Sequence, residues 1–144
     1  MTTETSSTIL EVTSEYPFAT SDPLAVQLQQ QVDCRLNELR ALASEDQVAW
    51  SNVSESALRA FLSTCTQATR PMITHLDNGN LRAVWTGQQD DQAALQFLDA
   101  DNLQLVAFTR RPGASSLTQL TARGSRADII AQLRAFGLLP LLVA

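Results

Sequence analysis

Four arginines, Arg110, Arg111, Arg123 and Arg126, fall within seventeen residues. A guanidinium presents a planar fork of donors that matches carboxylate and phosphate oxygens, so a cluster of them is a candidate grip on an anion. The competing reading is a solvated loop surface paired with neighbouring aspartates. Carboxylates are the second group: Asp77, Asp90, Asp91, Asp99 and Asp101 crowd successive turn sequences. Paired carboxylates run acid–base chemistry or hold a hard cation, but turns also favour Asp for its local backbone hydrogen bonds, and no calcium-loop spacing is present. His75 is the only histidine, with no second His or Cys at ligand spacing beside it. No Gly-x-Ser-x-Gly elbow supplies an oriented nucleophile. All ten basic residues are arginine, which excludes Schiff-base chemistry on a protein lysine and a phosphate loop built around one. The glycines stand singly at turns or caps rather than in a phosphate-cradling run. No catalytic residue, metal ligand or cofactor site is expected.

The elements that must position these groups are legible from periodicity. Residues 1–21, rich in Thr, Ser and Glu, have the composition of a flexible tail, within which Thr8 to Tyr16 carries Ile9, Leu10, Val12 and Tyr16 and could add as an edge strand or dock on a partner. A single α+β domain is expected over residues 22–144. Asp22 and Pro23 open a helix that repeats Leu24, Leu28, Val32, Leu36, Leu39 and Ala43 at helical spacing and runs to about Ser44. A second helix starts near Ser51 or Ser54, either of which can cap, buries Leu58, Phe61, Leu62 and Cys65, and stops before Arg70-Pro71. The pair forms an N-terminal helical hairpin, with Trp50 plugging its joint.

Beyond Pro71, short runs alternate between Asp77-Asn78-Gly79-Asn80, Gly87 to Asp91, Asp99 to Asn102 and Arg111-Pro112-Gly113, giving a five-stranded antiparallel meander. The second strand sets Leu81, Ala83 and Trp85 against Arg82, Val84 and Thr86. One buried and one wetter face follow. The fourth, Leu103 to Arg110, is apolar enough to be central, and the fifth spans Ser116 to Ala122. Ser125 and Asp128 then stand at capping-box spacing, Ile129, Ile130, Leu133 and Phe136 form the apolar stripe of a C-terminal helix packed on one sheet face, and Gly137 closes it. Helices, then a meander, then a helix define the α+β class.

At 144 residues and 44% hydrophobic content, the chain can bury a core without disulfides or a structural metal. A net charge of -5 disfavours general nucleic-acid binding and favours capture of a basic protein partner. Cys34 and Cys65 are read as free thiols on helices, which suits a cytoplasmic location. The start MTTETSSTILEV has neither a basic n-region nor an apolar run of signal length, and no membrane association is expected. The apolar stretch Leu138, Leu139, Leu141, Leu142 and Val143 must be covered by something, and is the candidate partner-binding surface. A homodimer seam is a further option for the first helix.

The segment DNGNLRAVW at residues 77–85, with the hairpin that follows and RRPG at 110–113, resembles small bacterial α+β proteins from toxin–antitoxin or immunity-type gene neighbourhoods. That resemblance, over residues 71–111, implies a non-enzymatic protein that binds a protein partner: an antitoxin, an immunity factor or a small regulatory subunit. Length, acidity and layout are also similar to secretion chaperones. The alternative from another class is a small-molecule sensor or enzyme that holds an anionic ligand through Arg110, Arg111, Arg123 and Arg126.

Overall fold

A computed structural model describes residues 23–64, 68–88, 90–110, 113 and 115–143. The expected N-terminal tail with its Thr8 to Tyr16 segment, the Asp22 cap, Cys65 and Arg111 lie outside the described residues. The chain divides into two units, residues 1–34 and 35–144, and the boundary falls inside the first helix, α1 (Pro23–Glu45). The second unit holds α2 (Asn52–Thr64), strands β1 (Met72–His75), β2 (Leu81–Thr86), β3 (Gln92–Asp99), β4 (Asn102–Arg110) and β5 (Leu117–Gly124), helix α3 (Arg126–Ala135) and a single turn, α4 (Leu139–Leu142). The α+β architecture is as the sequence pattern dictates.

The sheet runs β1-β2-β3-β4-β5, antiparallel throughout. β4 is an inner strand, but the middle position goes to β3. Alternation divides each strand as a pleated backbone requires. Ile73, Leu81, Ala83, Trp85, Ala93, Leu95, Phe97, Leu103, Leu105 and Ala107 are all buried on one face. The register places Met72, Arg82, Val84, Gln92, Gln96, Gln104, Val106, Phe108 and Arg110 on the other.

Helices α2 and α3 cover the first of these faces. In α2, Ser51 Oγ accepts from the Ser54 amide at 3.0 Å and so caps the helix, which frees Ser54 for another role. Phe61 meets Phe97 edge-on, with ring centroids 5.8 Å apart, and lies 6.2 Å from Trp85; such aromatic geometries add to the area they bury. Ser125 and Asp128 form the expected reciprocal capping box of α3. A Cβ on Gly124, which pairs with buried Leu103, would approach Asp128, so α3 starts on the helical side. Its end is a Schellman motif: Leu138 N–H bonds to Leu133 O at 2.9 Å and Gly137 N–H to Arg134 O at 3.1 Å. Gly137 takes the left-handed conformation, with φ of 71°, that this closure requires. Of the apolar stripe expected for α3, Ile129 and Leu133 are buried, while Ile130 and Phe136 are half-buried.

Candidate functional site

Among the described residues, the expected arginine cluster is not assembled. Arg110 pairs with Leu117 at one end of the β4–β5 ladder, whereas Arg123 pairs with Gln104 near the other. Six residues of strand between them correspond to about 20 Å. Arg126 is exposed at the start of α3, on the Arg123 end. Arg110 is already engaged, since its guanidinium donates to Asp90 at 3.1 Å and to the Ser115 carbonyl at 2.8 Å. Residues close in a hairpin sequence are here held apart by the length of the arm that separates them.

The apolar C-terminal segment is largely occupied within its own unit. Leu138 and Leu142 are each 1% exposed, so neither is available to an outside partner; Leu139, Leu141 and Val143 keep partial exposure. Thr69 fastens the segment: its amide donates to Leu142 O at 2.7 Å, and its hydroxyl reaches Leu141 O at 2.7 Å and Leu142 O at 3.1 Å. Val143 forms a bridge with Ala68. Trp85 Nε1 donates to Thr69 O at 3.0 Å, which ties this latch to β2.

A polar constellation of which helical spacing reveals only the Glu55–Arg59 pair joins α1, α2 and β1. Glu55 sits in the first turn of α2, its side chain 15% exposed. One carboxylate oxygen accepts from Arg40 and from Trp50 Nε1 (3.0 Å), the other from Arg59 Nε (3.0 Å). Arg40 lies over the Trp50 ring at 4.9 Å from its centroid, a cation–π contact. His75 stacks on the same indole at 4.9 Å, and its Nε2 donates to Ala49 O at 2.7 Å. Burial pushes the Glu55 carboxyl up, but the hydrogen bonds from Arg40, Arg59 and Trp50 outweigh it and hold it below its ordinary value. A carboxylate so supplied with donors is a poor proton acceptor, and the arrangement acts as a strut. Trp50 is half-buried here rather than a plug in the core.

The strut has a signature in pH. A carboxyl whose pKa is lowered by folding contributes stability above its unfolded value, and that contribution disappears as pH falls through the folded one. Glu55→Gln is expected to cost about 1–2 kcal/mol at neutral pH, a figure restrained by the partly exposed arginines, and to cost less at about pH 3. Urea unfolding of both proteins at the two pH values measures this; an equal loss at both would remove the ionic contribution.

Among the described residues, no group of three or more His, Cys, Asp or Glu side chains could hold a metal ion, and no helix is long and apolar enough to cross a membrane. The outer face of the sheet carries exposed apolar side chains among polar ones. Met72 is 60% and Leu117 41% exposed, Val106 and Phe108 are half-exposed, and Arg82, Gln119, Thr121 and Arg123 are open to solvent. A depression of about 450 Å³ at one corner is lined by Thr86, Gly87, Asp90, Asp91, Gln92, Phe108 and Leu117. Asp91 is fixed there by Thr109 Oγ1 at 3.1 Å. The alternation Arg82, Val84, Thr86 is the sequence signal for this face, and its weakness is that the same alternation describes any solvated sheet surface. No family model, curated protein or solved structure matches the chain.

Proposed function

We propose that this chain is a non-enzymatic protein-binding domain, of the kind that serves as an antitoxin, an immunity factor or a small regulatory subunit, and that its partner docks on the outer face of the sheet. The observation that carries this reading is the composition of that face: Met72 is exposed on one edge strand and Leu117 on the other, with half-exposed Val106 and Phe108 on the strand beside Leu117 and the solvent-open arginines Arg82 and Arg123 on the same face. Methionine, aromatics and arginine are the residue types that interfaces concentrate, and an apolar patch rimmed by polar groups is the usual form of a docking site.

Local charge decides the partner's chemistry. Residues 1–34 contain five acids, Glu4, Glu11, Glu15, Asp22 and Asp33, and no basic residue, so residues 35–144 carry ten of each sign. The net charge of -5 belongs to the first unit, and the outer face carries the exposed arginines Arg82 and Arg123, with Asp90 and Asp91 gathered at the depression at one corner. A basic partner fits the chain as a whole; an acidic and apolar one fits this face, because complementary potential steers docking and rejects like charge.

The test is affinity purification of the tagged full chain from its own host beside the variant Met72→Glu/Arg82→Glu. Both positions are exposed, so the fold should be little affected. The expected result is one stoichiometric protein recovered with the parent and lost with the variant. A partner retained by the variant, or none recovered by the parent, overturns the reading.

A further inference from the structure

The two edges of the sheet are finished differently. β1 has four residues, follows Pro71, and directs the Ile73 carbonyl at its open side into Arg35 Nε at 3.1 Å. Length, proline and an arginine are the means by which proteins blunt an edge. β5 is far less protected: it is eight residues long, contains no proline, pairs with β4 from Leu117 to Gly124 without a bulge, and carries a single charged residue, Arg123. Among the described residues, no backbone group of β5 bonds to anything except β4. An unbroken row of donors and acceptors of this length is a template for another strand.

We propose that the strand it receives is β5 of a second copy of this chain, antiparallel about a two-fold axis normal to the sheet, which merges the two sheets into one. Such an axis keeps both helical layers on the same side, and each interface residue meets its reciprocal. The register that places Leu120 opposite its own copy also sets Thr118 opposite Ala122, Gln119 opposite Thr121 and Leu117 opposite Arg123. No like charges face one another. On the helical side, the half-buried Leu120 side chains meet. On the outer side, Leu117 lines the depression that contains Asp90 and Asp91, and opposed side chains in an antiparallel ladder lie about 5 Å apart. Arg123 of the second copy therefore enters at the rim of the acidic depression, where the Asp90 side chain is 68% exposed and pairs with Arg110. The same contact recurs across the axis. Charge complementarity thus selects a second copy over an unrelated strand, and the outer faces join into one surface of double width.

Sedimentation velocity of the full chain over a concentration series is expected to show a monomer–dimer equilibrium that weakens with added salt. Arg123→Glu, at an exposed position, should raise the dimer dissociation constant about tenfold or more with an unchanged circular dichroism spectrum. Register is tested separately by cysteine trapping in a Cys34→Ser/Cys65→Ser background. Leu120→Cys should cross-link under mild oxidation, because facing Cα atoms fall within disulfide reach, whereas Thr118→Cys should not. A chain that stays monomeric at every concentration overturns the proposal. So does a dimer indifferent to Arg123→Glu, or one trapped through Thr118→Cys and not through Leu120→Cys, which would place the contact elsewhere or in another register.

Discussion

Removing residues 138–144 is expected to abolish cooperative folding. Leu138 and Leu142 are both fully enclosed, and each buried leucine truncated to alanine typically costs about 2–5 kcal/mol. Losing both approaches the whole stability of a domain, about 5–15 kcal/mol, before the Thr69 hydrogen bonds and the Schellman closure of α3 are counted. Leu142→Ala alone should lower stability by about 2–5 kcal/mol, and Leu139→Ala, at a half-buried position, by less. Urea titration followed by circular dichroism reads all three. A truncated chain with an unchanged transition would return this segment to the surface and to partner binding.

The fate of that segment shows what a single sequence can deliver. An unbroken run of leucines states that apolar area must be covered, but it does not say whether the cover comes from inside the chain or outside. Here the answer lies with Thr69, 72 positions before Leu141, whose amide and hydroxyl capture the last carbonyls. The capping box at Ser125 and Asp128 was legible because its partners are three residues apart. The strands were legible because the pleat imposes a period of two and the turns are marked by Asp, Asn and Gly.

The candidate site was less legible, for reasons of distance. Arg110 and Arg123 look clustered in the sequence, but a hairpin brings together residues at equal distances from its turn, and these two are not. The Glu55 strut draws on Arg40, Trp50 and His75, which share no period with it; only Arg59, at i,i+4 on the same helix, stands at a spacing that a local reading uses. Net charge is coarse in a related way, since a sum over the chain does not say that residues 1–34 hold the whole acidic excess. The outer face could be drawn from alternation as a set of residues. Its reading as an interface needed the exposure of Met72 and Leu117.

Ser54→Ala is expected to destabilise the protein by about 2–4 kcal/mol, an unusual loss for the removal of one oxygen. Ser54 is the only buried polar side chain in the core among the described residues. Its hydroxyl donates to Phe97 O at 2.6 Å and accepts from Leu81 N at 2.8 Å, thereby joining α2 to two adjacent strands where the helix lies on the sheet. Alanine leaves a backbone carbonyl and a backbone amide unpaired away from water, each at about 1–3 kcal/mol. Ser51→Ala removes only the half-buried helix cap and should cost about 1 kcal/mol. Equilibrium unfolding ranks the two, and hydrogen exchange at the Leu81 amide isolates the bond itself, because a lost acceptor should accelerate exchange there ahead of its neighbours. If the two serines cost the same and Leu81 remains protected, the contact between helix and sheet rests on Phe61 and Leu58 alone, and the hydroxyl is incidental to it.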